Sequence, residues 1–291
     1  MPVERVRIAD AEVDVAMPSP GDRLPGLSMA GFHGRAEDAL ALDVVPYPAL
    51  TMFIDLGDDA LIMDDGTGER RYGSVVVGVA PGGIRGCARD VELLQIRLSP
   101  LLAQAVSEVA PQLGGEFLDL AEFWGPDTEI LHEQLRAAPS WDARFALARR
   151  ALMLRRATGR TADPELTWIW DRMVRGHGRV RVDRLADEVG WSRKRLWSRF
   201  RAHTGLTPKY AANLIRFDHA VHLLAAGRTA ASVAADCGFA DQSHLHHDVL
   251  AFTGMTPAKV ARAPWLTVDP VAWQPQAGTF LQDPPRRGGP C

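Results

Sequence analysis

The chain has 291 residues, 46% of them apolar and 24% charged, with a formal net charge of −3. That length suits two domains, and that apolar fraction is ample for their cores, so a disordered or low-complexity chain is excluded. Three scattered cysteines (Cys87, Cys237, Cys291) offer neither a disulfide framework nor a zinc spacing. No apolar run approaches about 18 residues and the start lacks a leader-like core, so the expectation is a cytoplasmic protein with reduced thiols and no membrane partner. An acidic total argues against a nucleic-acid binder, but the charge is uneven. Arg179 to Arg262 holds 13 Lys/Arg against 7 Asp/Glu, a net +6, and the remainder is −9. Such asymmetry is expected when only one part meets phosphate.

Residues 1–42 are poor in pattern. Pro18, Pro20, Gly21, Pro25 and Gly26 predict loop with one or two strands. From Ala49 the runs ALTMFIDL, ALIMD, SVVVGVA and VELLQIRL are short, rich in Val, Ile, Leu and Phe, and separated by turn residues. GDD at 57–59 and DGTG at 65–68 read as hairpin turns. The prediction is a small antiparallel β domain, sandwich or barrel, ending near residue 98. Its aromatic residues (Phe53, Tyr72, with Phe117 and Trp124 beyond) either line an apolar pocket or fill a core. A metal needs clustered His and carboxylate ligands, and His33 stands alone before the strands, so no metal or other cofactor is expected there.

Ser99 and Pro100 open a helical stretch over 99–158, comprising LLAQAV, LDLAEFW, DTEILHEQLRAA and SWDARFALARRALMLRRAT. Asp127 and Ser140 suit N-caps. In the last run Trp141, Phe145, Ala148 and Leu152 form one stripe, with Arg144, Arg149, Arg155 and Arg156 largely outside it. Residues 1–160 thus read as one domain. Residues 161–164 read as a linker and helix start, with Pro164 at the first helical position. ELTWIWDRMVRGHG then opens a second domain over 163–262.

That domain contains one device written twice. LADEVGWSRKRLWSRFRAHTGLTP (Leu185 to Pro208) and VAADCGFADQSHLHHDVLAFTGMTP (Val233 to Pro257) align at an offset of 48, then 49 after one inserted residue. Each reads as helix, glycine turn (Gly190, Gly238), N-cap (Ser192, Asp241) and second helix. The buried face of the second helix is Leu196 and Phe200 in the first copy, and Leu245, Val249 and Phe252 in the second. The opposite face presents Lys194, Ser198 and Arg201 with Trp197 on its flank, then Ser243, His247 and Leu250 with His246 on the flank and Gln242 near the start. A helix with one apolar face and one hydrogen-bonding, partly basic face is what a major groove admits. Between the copies, Thr207 and Pro208 start a helix carrying Tyr210, Leu214, Phe217, Val221 and Leu224 at helical spacing, and Gly227 stops it.

These residues, LAxxxGxSxxxLxxxFxxxxGxTP from Leu185, RFDHAVHLLAAG, GFADQSHL and GMTP, resemble the DNA-binding domain of the AraC/XylS transcriptional regulators over about a third of the chain. The resemblance implies an α+β protein: an N-terminal, degenerate cupin-like antiparallel β domain with following helices, and a C-terminal all-α double helix-turn-helix domain. It implies double-stranded DNA as partner, contact with RNA polymerase, and an N-terminal domain that senses an unidentified small-molecule effector or mediates dimerisation; the helices that follow the sheet either hold a homodimer or only pack on the sheet. The expected DNA-binding residues are Ser192, Arg193, Lys194, Trp197, Ser198, Arg201, Gln242, Ser243, His246 and His247, with no catalytic or metal residues. The second copy departs from the family's basic, aromatic pattern at His246, His247, Asp248, Val249 and Leu250, so the first copy is expected to carry more of the contacts.

Two other readings stay open: an enzyme of DNA-repair type with this module appended, for which Cys87 is the one candidate nucleophile, and an interaction module that has lost DNA binding. HLHHD at 244–248 is a weak metal motif, because His244 and His246 point about 160° apart on a helix. Cys237, beside a turn glycine, reads as a small core residue. After Pro264 the prolines at 270, 275, 284, 285 and 290 predict an irregular tail over 263–291, with Trp265 and Trp273 available to pin its first half.

Overall fold

The computed structural model describes residues 2–8, 11–19, 24–43, 45–64, 68, 70–79, 84–114, 116–159 and 163–273. The first half is built on one antiparallel sheet. Its strands are β1 (Val3–Ile8), β2 (Ala11–Ala16), β3 (Leu27–Asp43), β4 (Leu50–Asp55), β5 (Ile62–Asp64), β6 (Arg70–Tyr72), β7 (Val75–Val77), β8 (Arg85–Leu98) and β9 (Phe117–Asp119). They run in the order β1-β2-β3-β8-β4-β7-β9, with β5 and β6 branching from β8. Strand β8 is the spine, paired with β3 along one edge and with β4 and β5 along the other. Leu94, Ile96 and Leu98 alternate along it and are fully buried, as a half-covered strand requires.

The helices are α1 (Pro100–Val106), α2 (Leu120–Trp124), α3 (Thr128–Ala137), α4 (Trp141–Thr158), α5 (Pro164–Arg175), α6 (Val182–Glu188), α7 (Arg193–Thr204), α8 (Pro208–Ala225), α9 (Ala230–Cys237), α10 (Gln242–Thr253), α11 (Pro257–Val260) and α12 (Pro264–Ala272). Helices α5–α11 form the C-terminal helical region, so the protein is α+β. Ser99 caps α1 and Ser140 caps α4 through bonds from the Leu102 and Ala143 amides. Asp127 precedes α3 but makes no side-chain cap bond.

Several expectations are corrected. Residues 3–43 hold three strands rather than one or two. The signal is the alternation in β2, where Ala11, Val13 and Val15 are buried, while β3 hides its strand character behind Gly31, Gly34 and alanines. The turn at 57–59 does not close a hairpin, because β4 pairs with β7 and β8 and never with β5. The DGTG turn lies largely outside the described residues, although the strands it joins, β5 and β6, do pair. LDLAEFW is the last two residues of strand β9 followed by the short helix α2. Arg144 is buried, not displayed. Its Nε donates to the Leu135 carbonyl at 3.1 Å, its Nη1 to Glu92 at 2.6 Å, and its guanidinium lies 4.7 Å from the Trp141 ring.

The largest correction concerns the C-terminus. Residues 264–272 are helical despite Pro270. Val268 and Ala272 are buried with Ile8, Val13, Val15, Ala30 and Phe32 of the first three strands. The remainder of the expected tail, from residue 274, and positions 161–162 of the linker lie outside the described residues. A single apolar cluster runs from Leu50, Met52 and Leu94 of the sheet through α1 to Leu196, Phe200, Phe217 and Leu245, so the two halves pack as one body.

Candidate nucleic-acid interface

The duplication is structural as well as sequential. Helices α7 and α10 each have 12 residues. Ser192 accepts from the Arg195 amide at 3.2 Å, and Asp241 from the His244 amide at 2.8 Å. At the other end, Thr204 donates to the Phe200 carbonyl and accepts from the Leu206 amide, and Thr253 does the same with Val249 and Met255. Both helices stop at a left-handed glycine, Gly205 (φ 73°) or Gly254 (φ 67°). Helices α6 and α9 precede them across Gly190 (φ 70°) and Gly238 (φ 72°).

The inner faces are dry. Leu196, Phe200, Leu245 and Val249 have no exposed surface and Phe252 very little. The outer faces are open: Ser192, Arg193, Lys194, Trp197, Ser198 and Arg201 on the first, and Gln242, Ser243, His246 and His247 on the second, are all exposed. Trp197 shows 46% of its surface and Leu250 shows 45%, so each outer face also offers one large apolar side chain. The Arg201 guanidinium lies 5.3 Å from the Trp197 ring.

The two faces differ in charge. RKRLWSRFRAHT carries Arg193, Lys194, Arg195, Arg199 and Arg201 with no acid, whereas QSHLHHDVLAFT carries Asp248 and three histidines. Not all of the first set is free. Arg199 approaches Asp163 at 3.7 Å, Arg193 approaches Asp183 at 3.4 Å, and Arg195 lies over Trp191. Asp248 has a role the sequence did not reveal. It binds Arg216 of α8 at 3.0 Å, and both side chains are largely buried. Arg216 also lies 4.2 Å from the Phe239 ring. The pair fixes α10 to α8, and no local spacing could have exposed it, since its members stand 32 residues apart. His244 turns back into its own turn, where Nδ1 accepts from the Ala240 amide at 3.3 Å and the ring stands edge-on to Phe239.

Helix α8 spans the two units. Thr207 caps it through the Tyr210 amide at 3.1 Å, and Pro208 occupies the first turn. Leu214, Phe217, Val221 and Leu224 are buried at helical spacing. Eighteen residues at about 1.5 Å each give a spacer of about 27 Å. Cys237 is fully buried, and that burial pushes its thiol up, as befits an inert core residue. Cys87 sits in β3's partner strand β8, opposite Ala41 and Ile62. Of the four aromatic residues singled out in the first half, Phe117 and Trp124 are buried, Phe53 is half-buried and Tyr72 is exposed; Phe117 and Phe53 share one apolar cluster and Trp124 belongs to another.

Two open faces on paired helix-turn-helix units define a DNA-binding transcriptional regulator. Residues 185–263 match the family model described as "Helix-turn-helix domain". This makes residues 185–263 a helix-turn-helix domain, and the signature residues above resemble those of the AraC-type double unit. No curated protein matches the chain. Among solved structures, ToxT from Vibrio cholerae O395 is similar at 12% identity over 82% of this chain and 98% of that one, with a TM-score of 0.44. The AraC-like transcriptional activator CuxR is similar at 16% identity over 75% and 82%, with a TM-score of 0.30. Among the described residues no helix is long and apolar enough to cross a membrane.

Proposed function

We propose that the protein reads a chosen duplex sequence by seating α7 and α10 in successive major-groove turns, and that a small molecule acting on residues 1–160 governs this. The observation that carries the reading is the matched pair of exposed outer faces on two equivalently capped helices, held by one spacer of about 27 Å. A DNA turn is about 34 Å, so the spacer suits two readers on one side of a duplex. In this reading Lys194, Trp197, Ser198, Ser243, His246 and His247 face bases, with Gln242 beside them. Ser192, Arg193 and Arg201 face phosphates. Residues 163–262 form the reading unit. The outward-turned apolar side chains Ile130 of α3 and Leu154 of α4, 57% and 62% exposed, favour a homodimer through those helices. Control of transcription then runs through RNA polymerase.

The test is selection of bound fragments from random duplex, followed by mobility shifts at several salt concentrations. A reproducible motif and an affinity that falls steeply with salt are expected. Failure to shift any duplex at low salt would sink the proposal.

A further inference from the structure

The two halves meet at a buried polar cluster that the reading of DNA does not use. Asp269, on α12, is 4% exposed. Its carboxylate accepts from Tyr47, which precedes β4, from Arg97 of β8 at 3.1 Å, and from His222 Nε2 of α8 at 3.0 Å. Arg97 is clamped between two rings, 3.5 Å from Tyr47 and 3.8 Å from Trp273 at the end of α12. His222 is held from behind by Asp218, to whose carbonyl Nδ1 is bonded at 2.7 Å and whose carboxylate lies 3.7 Å away. Three donors from three separate elements therefore converge on one carboxylate. Two of those elements belong to the sheet half and one is the spacer.

We infer that α12 is a latch. By inserting Asp269 between Arg97 and His222, it adds a polar tie between sheet and spacer to the apolar cluster the halves share, and it is this tie that makes them unfold and respond as one cooperative unit. The apolar side of α12 needs no such group to stay in place, since Val268 and Ala272 already bury it on β1–β3. The Asp269 carboxylate itself is buried, and an ionised group in that setting is retained only with its cationic partners; removing it leaves Arg97, 11% exposed, and the half-buried His222 facing each other. By linkage, a coupling of this kind is reciprocal: DNA on the readers stabilises the sheet, and whatever binds the sheet alters the readers.

The first arm of the test requires no DNA, so it is independent of the reading proposed above. The full chain is expected to melt in one calorimetric transition, and Asp269→Asn in two. Tyr47→Phe, a milder change, should broaden the transition without abolishing folding. The second arm follows hydrogen exchange of residues 94–98 with and without bound duplex. Slowing in the parent and none in Asp269→Asn is expected, with protection in α7 and α10 equal in both. A single transition in Asp269→Asn, or β8 protection that responds to DNA as in the parent, would overturn the latch. If Asp269→Asn proves unfolded, the same two readouts are taken on Tyr47→Phe and His222→Gln, where an unchanged transition or an unchanged β8 response would overturn it equally.

Discussion

Lys194 and Arg201 stand on the same outer face of α7, yet their loss is expected to show differently. Lys194, in the first turn, is placed to reach base edges, so Lys194→Ala should alter the selected sequence and cost about 1–3 kcal/mol on the preferred site. Arg201, in the last turn, is placed for phosphate. Arg201→Ala should weaken all duplexes alike and reduce the slope of log K against log salt by about 0.9. Mobility shifts on selected and scrambled duplexes separate the two, and a uniform loss for Lys194→Ala would refute the face assignment. Trp197 is a poorer probe, because the Arg201 guanidinium leans on its ring. Asp248 tests something else. Asp248→Ala strands Arg216, whose side chain is only 15% exposed, and should lower stability by on the order of 3 kcal/mol in denaturant titrations. The outer-face residues were legible from helical periodicity. The partner of Asp248 was not, because an ion pair across two helices leaves no local pattern.

At the scale of elements, the paired stops of α7 and α10 form an internal control. Gly205 and Gly254 share a left-handed conformation, in which an L side chain costs about 1–2 kcal/mol. Around Gly254 there is open space, whereas a Cβ on Gly205 would collide with the backbone oxygen of Pro111 in the turn Ala110–Gln112 of the first half. Gly254→Ala should therefore cost only the conformational penalty, and Gly205→Ala clearly more, as measured by thermal midpoints. Equal costs would mean that the first reader does not lean on the sheet half. The junction of α8 and α12 should respond to pH. Burial alone would lower the His222 imidazole, but its bond to Asp269 and the charges of Asp218 and Asp269 outweigh burial and push it up to about 9. Burial pushes Asp218 up to about 6, partly offset by His222. For Asp269, burial is outweighed by Arg97, His222 and Tyr47, which hold it below the usual range. Neighbouring His219, stacked on His177, is lowered by burial and by the charges of His177 and His222. A raised histidine gives stability that is complete below about 6.5 and is lost as pH rises through about 9. The Asp218 contribution, raised likewise, is already lost as pH passes about 6. Thermal stability should thus fall between about pH 7 and about pH 9.5, and His222→Gln should remove that alkaline step.

At the scale of the whole molecule, charge and connectivity matter more than any one contact. The net +6 over Arg179 to Arg262 against −9 elsewhere should orient the chain on a polyanion while keeping the sheet away from it. In stopped-flow measurements, association with duplex should accordingly slow steeply as salt is added. The sequence by itself determined the double helix-turn-helix, its caps, its dry and wet faces and its spacer, because each of these depends on periods and cap residues within about 20 positions of one another. It also determined strands β4 and β7 and the second half of β8, whose short runs, rich in Val, Ile, Leu and Phe, are bounded by turn residues. Only the tertiary structure decided that residues 264–272 are a helix, that Asp248 and Arg144 are ion-paired inside, and that the halves share one core. Those outcomes depend on partners 32 to 222 residues away. A chain's local pattern holds no record of the surface it will meet there, and it is that surface which makes a proline-containing segment worth ordering.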